Sequence, residues 1–169
     1  MTEPTTKFAT ADTPNEHLAP ARGGISAEVR ELRLARKALR IPIHDYLGIE
    51  LVALRPETVA VMHVSERTRS LGIAVHGGAL ATLADLVGNL SASLSAAFDW
   101  RYSRLRTIDL NMKFVRQPGG DLVRAVACRV ADGSRVIRTQ VRIEDGSEAL
   151  VGVADLTSII IPSAPPASS

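Results

Sequence analysis

The sequence predicts an α+β fold in which one curved antiparallel sheet wraps around a single long buried helix, and three observations predict it. "GGALATLADLVGNLSASLSAAF", residues 77 to 98, is apolar nearly all round, the mark of a helix buried on every side. Four strand-like runs follow it, separated by "QPGG" and two "DGS" turns, the connectors of antiparallel hairpins. Two further runs rich in apolar and β-branched residues precede it. A sheet with one apolar face and a helix apolar all round bury each other most simply as two layers of one domain.

Composition agrees with one domain and narrows its nature. The 169 residues are 46% apolar but only 4% aromatic, so the core must be aliphatic. Net charge is +2, from 20 basic and 18 acidic residues, which excludes the strong field of a nucleic-acid binder. The basic residues are mostly Arg, with Lys only at positions 7, 37 and 113, and guanidinium forks suit phosphates. Cys128 is the single cysteine, so no disulfide can form within the chain, and a reducing compartment is expected. Its place in "LVRAVACRVAD" reads as a small buried hydrophobe in a strand. The first residues lack a signal-peptide pattern, and Asp85 and Asn89 inside the longest apolar stretch argue against a membrane span. A cytoplasmic protein that binds neither nucleic acid nor membrane is the expectation.

Along the chain, residues 1–24 read as a flexible leader rich in Thr, Pro, Ala and Gly, and residues 162–169 as a flexible tail. The domain is expected over 25–161. Ser26 starts a short charged helix, with Val29, Leu32, Leu34 and Leu39 spaced among charges, and Pro42 ends it. "DYLGIELVAL" and "TVAVMHV" read as two strands joined at "RPE". The long helix follows, from Gly77 to Phe98. In "LRTIDLNMKF", Ile108, Leu110, Met112 and Phe114 alternate with Thr107, Asp109, Asn111 and Lys113. In the next strand but one, Ile137, Thr139, Val141 and Ile143 alternate with Arg138, Gln140, Arg142 and Glu144, which gives a sheet with one buried face.

Chemistry concentrates on the long helix. Gly77 and Gly78 stand at its start, where unpaired N–H groups carry partial positive charge. Without Cβ atoms they allow close approach of a ligand, and such an end can polarise a carbonyl oxygen. His76, just before them, is open to three readings: general base, metal ligand, or capping residue. The remaining histidines, at 17, 44 and 63, show no ligand spacing, so no metal is expected. Asp85 is an acid among Leu, Ala and Val, costly to bury without a purpose. It lies eight residues past Gly77, about 12 Å along the helix axis. One small reacting group cannot touch both, so if both act, two chains must assemble the site across a two-fold axis. Leu86, Asn89, Leu90 and Ser93 follow within two turns and are placed to shape a pocket beside the acid.

"HGGALATLAD" resembles the signature of hotdog-fold acyl-CoA thioesterases of the phenylacetate-degradation (PaaI-like) type, in the hydroxybenzoyl-CoA thioesterase superfamily. "PIHDYLGIELVAL", "RTIDLNMKFVRQP" and "DGSRVIRTQVRIEDGSEALVGVADLTSII" resemble its strands, so the likeness spans roughly residues 40 to 161. The resemblance implies hydrolysis of acyl-CoA to free acid and coenzyme A. Asp85 is then the base or nucleophile, and the Gly77 amide of the opposite protomer polarises the carbonyl. Thr107 stands where the family often has a water-orienting Ser or Thr. Arg116, with Gly78 and Arg138, falls to the coenzyme A side. No cofactor is implied beyond the coenzyme A of the substrate, and the assembly implied is a homodimer that pairs into a dimer of dimers. The family pattern N-x-x-G-x-x-H is altered here: Ser70 stands at the Asn place, and Gly72 lies four residues before His76. Ser70 keeps a hydroxyl but lacks the two-sided hydrogen bonding of an amide. A non-catalytic acyl-CoA-binding protein is the main alternative, with a carrier-protein dehydratase and a purely oligomeric scaffold behind it.

Overall fold

The computed structural model describes residues 27–163; the predicted leader and all but the first two residues of the predicted tail lie outside the described residues. Elements run α1 (Ala27–Leu39), α2 (Pro42–Tyr46), β1 (Ile49–Ala53), β2 (Thr58–His63), α3 (Gly77–Ser93), β3 (Ser103–Phe114), β4 (Leu122–Asp132), β5 (Val136–Asp145) and β6 (Leu150–Pro162). The six strands form one antiparallel sheet in the order β1-β2-β4-β5-β6-β3. Helix α3 lies across β4 and β5 and reaches β2, β3 and β6, as the sheet wraps around it. This is the predicted architecture.

The core is aliphatic, as the composition requires. Leu80, Leu83, Ala84 and Val87 of α3 are buried against Met62, Val123, Val141, Ile143 and Leu156 from the sheet. Gly88 lets α3 come down onto β6, since a Cβ there would lie 2.6 Å from Leu156 Cδ2. Helix α1 sits beside this core through Ala35, and Arg55 holds it from outside by a 2.8 Å ion pair with Glu31.

Five expectations are corrected. Helix α3 stops at Ser93, not Phe98, because the chain tightens into bonds from Leu94 N–H to Ser91 O and from Ser95 N–H to Ala92 O. Pro42 does not only end a helix; it opens a second one, α2, since a proline at the first turn loses no needed donor. The strand expected from Asp45 therefore begins only at Ile49, after Gly48 turns the chain at φ +64°. Cys128 is exposed: Val123, Ala125 and Ala127 point inward along β4, and parity sends Cys128 to the other face. In β3 a bulge between Thr107 and Asp109 breaks the alternation. Leu110 and Met112 face the core, but Ile108 and Phe114 are exposed and Thr107 is turned inward.

Candidate active site

Asp85 sits half-buried in the middle of α3, with Asn89 one turn further along the same face. The β3–β6 register sets Thr107 directly opposite Ser158. These four side chains meet. Asp85 Oδ1 accepts hydrogen bonds from Thr107 Oγ1 at 2.7 Å and from Asn89 Nδ2 at 3.0 Å. Asn89 Nδ2 also lies 2.7 Å from Thr107 Oγ1 and 3.0 Å from the Asp85 carbonyl, and Ser158 Oγ donates to Asn89 Oδ1 at 3.0 Å. Charge-assisted bonds of this kind offset the cost of setting a carboxylate in an apolar helix. Both donors fall on Oδ1. Among the described residues Oδ2 has no donor, which leaves it for a reacting group.

Asp85, Asn89 and Thr107 open on a cavity of about 370 Å³. Leu86, Leu90 and Ser93 continue its floor along α3, as their spacing predicts. Phe98 and Trp100 also line it, packed edge to face with ring centroids 4.7 Å apart. Ala38, Ile41 and His44 from the end of α1 and from α2 supply another wall. His44 is nearly buried, and its Nδ1 lies 2.8 Å from the Ala38 carbonyl oxygen, so Nδ1 carries the proton. An acid with one open oxygen at the edge of an apolar cavity can take a proton from water or attack an electrophilic carbon there.

The start of α3 is built differently. His76 is the N-cap, in extended conformation, and its Nδ1 accepts the Gly78 N–H at 2.9 Å. Of its three sequence readings, the structure places it as the cap. Gly78 thus spends its N–H on the cap, while the Gly77 N–H has no partner among the described residues. Phe114 packs against Gly77, where a Cβ would lie 3.0 Å from the ring. The approach to the helix is strapped down: His76 N–H donates to Thr68 O at 2.8 Å, and Val75 N–H to Gln117 Oε1 at 2.9 Å.

Arg116 lies beside Gln117 and pairs with Asp145, whose side chain is 1% exposed. Asp145 also accepts from Ser147 Oγ at 2.6 Å, Gly119 N–H at 2.9 Å, Ser147 N–H at 2.9 Å and Ala149 N–H at 3.3 Å. The Ser147 hydroxyl first, then the Gly119 amide, hold this carboxyl far below the usual carboxylate range, against the opposing effect of burial.

Not every predicted residue comes together. Asp85 and Thr107 share one cavity; Gly77 and Arg116 line a second depression with Phe114 and Gln117. Ser70 is exposed in the β2–α3 loop, where its N–H bonds the Ala74 carbonyl at 2.7 Å. Arg138 is exposed on the sheet face turned away from α3, between Ala131 and Thr157. Sequence reasoning gave Asn89 only a lining role, although its place four residues after Asp85 was a readable signal for contact. Ser158, His44 and Gln117 carried no signal of that kind, because strand register and chain folding bring them in. Among the described residues no cluster of His, Cys, Asp and Glu suits a metal, and no helix is long and apolar enough to cross a membrane.

No protein-family model matches the sequence, and no curated protein matches it. Solved structures do. A mutant form of a thioesterase from Pseudomonas aeruginosa is 26% identical, with TM-score 0.71 over 78% of this chain and 94% of its own. A thioesterase from Haemophilus influenzae is 23% identical, with TM-score 0.71 over 86% of this chain and 97% of its own. A thioesterase family protein from Silicibacter pomeroyi is 16% identical, with TM-score 0.71 over 79% of this chain and 99% of its own. The chain has the hotdog fold of these thioesterase-superfamily structures.

Proposed function

We propose that this protein is a PaaI-like acyl-CoA thioesterase, acting in the cytoplasm as a homodimer that pairs into a dimer of dimers. One observation carries the reading: Asp85 is gripped through Oδ1 by Thr107 and Asn89, at the edge of an apolar cavity that suits an acyl group. The fold shared with named thioesterases supports it. The acyl group enters the cavity, and the thioester carbonyl carbon meets Asp85 Oδ2. Asp85 takes a proton from an attacking water, or attacks the carbon itself to form a mixed anhydride that water then hydrolyses. In either route the carbon–sulfur bond breaks, the proton from water goes to the sulfur, and coenzyme A and the free acid leave. Charge developing on the carbonyl oxygen is met by the Gly77 N–H at the start of the partner's α3. The spacing along one helix, about 12 Å, is what makes the second chain necessary.

Two features support a second copy at this place. Strand β3 is twelve residues long and, among the described residues, pairs only with β6, which leaves its other edge open. Leu71 and Ile73, in the loop before α3, are 97% and 89% exposed, an apolar tip suited to burial against another chain. Ser70, at the place of the family's Asn, favours one second reading, a protein that binds acyl-CoA without turning it over. Thiol release from a panel of aliphatic, phenylacetyl and benzoyl coenzyme A esters tests the proposal, with wild type beside Asp85→Asn. Turnover that falls about 10²- to 10⁴-fold in the variant, with the dimer intact, is expected. Tight binding of the esters with no turnover by wild type would establish the second reading instead.

A further inference from the structure

We propose that Ser158, which does not touch Asp85, is a positioning residue for it, acting through the Asn89 amide; this rests on the reading of Asp85 as the reactive acid. Ser158 is 1% exposed, on the inward face of β6. Its hydroxyl points to Asn89 Oδ1, at 3.0 Å. The other end of the same amide faces three acceptors: Asp85 Oδ1 at 3.0 Å, the Asp85 carbonyl at 3.0 Å and Thr107 Oγ1 at 2.7 Å.

An amide has one donor end and one acceptor end, and a carboxylate oxygen can only accept. With the amide turned over, Asn89 Oδ1 would stand against the Asp85 carboxylate and the Asp85 carbonyl, acceptor against acceptor. The network therefore works in one orientation, with the NH₂ toward the acid and the carbonyl toward β6. Ser158 supplies the donor that this carbonyl needs. Without it the carbonyl has no donor among the described residues, and the amide has nothing to hold its far end. The Asn89 bond to Oδ1 then loosens, and with it the aim of Oδ2 into the cavity. Thr107 holds Asp85 directly from β3; Ser158, its register partner on β6, holds it at one remove.

The test uses the full chain with Ser158→Ala, Ser158→Thr, Asn89→Ala and the double variant Asn89→Ala/Ser158→Ala. Ser158→Ala should lower kcat on the best acyl-CoA about three- to tenfold, the worth of one hydrogen bond, with KM nearly unchanged. Ser158→Thr should recover most of the loss. On the Asn89→Ala background, Ser158→Ala should cost nothing further, because the path through the amide is already cut. Unchanged kcat in Ser158→Ala, a loss confined to KM, or full losses that simply add in the double variant would each overturn the proposal. A readout independent of turnover separates this from failure of the thioesterase reading. The Asn89 side-chain NH₂ protons should exchange with water at least tenfold faster in Ser158→Ala than in wild type. If wild type hydrolyses no ester, the functional reading fails while this measurement still decides whether Ser158 orients Asn89. Equal exchange rates would sink the orientation itself.

Discussion

The two ends of the working face of α3 solve opposite problems by opposite means. At its start, His76, Gly77 and Gly78 present backbone: the cap takes the Gly78 N–H, and the Gly77 N–H has no partner among the described residues. Eight residues on, Asp85 presents a full charge, and side chains from α3, β3 and β6 converge to hold it. The first end is largely local: a few consecutive residues make it and helix geometry aims the N–H, while Thr68 and Gln117 brace the approach from outside. The second is a tertiary construction, dependent on the β3 bulge and on the pairing of Thr107 with Ser158. A dipole needs only a helix to carry it, whereas a charge in an apolar helix needs donors from elsewhere in the fold.

The sharpest way to break this comparison is to remove the backbone donor and nothing else. Gly77→Pro does so. Proline is at home at the first helical position, and His76 before it is already extended at φ −68° and ψ 129°, as a residue preceding proline prefers. The added ring presses on Phe114, which is 56% exposed and free to turn outward. Loss of the donor is expected to cut kcat about 10²- to 10³-fold, with the melting temperature within a few degrees of wild type. Full activity in the proline variant would exclude the Gly77 N–H from the reaction.

At the other end the expected losses are smaller, since several donors share the work. Thr107→Val keeps the shape of the side chain and removes the hydroxyl, leaving Asp85 Oδ1 with Asn89 alone. A fall in kcat of about 10- to 100-fold is expected, measured on the same ester as Gly77→Pro. If Thr107→Val were the more damaging of the two, the buried end would carry more of the reaction than the backbone end.

The same contrast explains what could be read from the sequence. "HGGALATLAD" carries the start of α3 almost whole, because glycine, histidine and helix periodicity act over a few residues. The sheet is nearly as legible, since alternation and "DGS" turns are local; the structure corrects the start of β1, the face of Cys128 and the phase of β3. One extra residue, Ile108, lets Thr107 and Leu110 both face inward, and no composition rule announces a bulge. Helix α2 was hidden because "PIHDYLGIEL" has as many apolar residues as a strand, and Pro42 pointed to a helix end as readily as to a start. The Asp85 cluster was legible only in part. Asp85 drew attention as an isolated acid and Asn89 by proximity, but Ser158 sits in "DLTSIII" like any serine in a strand. Its role follows from register, which the chain sets over distances of fifty residues and more.

The last test leaves the chemistry alone and works on the loops beside the backbone end. Asp145 ties the hairpin through Ser147 and Ala149 to the β3–β4 loop through Gly119 and Arg116, and Gln117 in that loop holds Val75 before α3. Its folded pKa is depressed below the unfolded value of about 3.9. In the interval between the two values the unfolded chain binds the extra proton. Stability from Asp145 is therefore fully present above about pH 5, and is lost as pH falls through 3.9 toward the lower folded value. Asp145→Asn should be less stable at pH 7 by about 2 kcal/mol in urea unfolding, since it removes the charge met by Arg116 and by the Gly119, Ser147 and Ala149 N–H groups. As pH falls from 5 through about 3.9 and below, the gap between wild type and variant should narrow progressively, on toward the lower folded value. A gap that stays constant would mean Asp145 acts by shape rather than charge. At pH 7, kcat should change less than in Gly77→Pro or Thr107→Val, because Asp145 braces the segment that sets the N–H without itself meeting the ester.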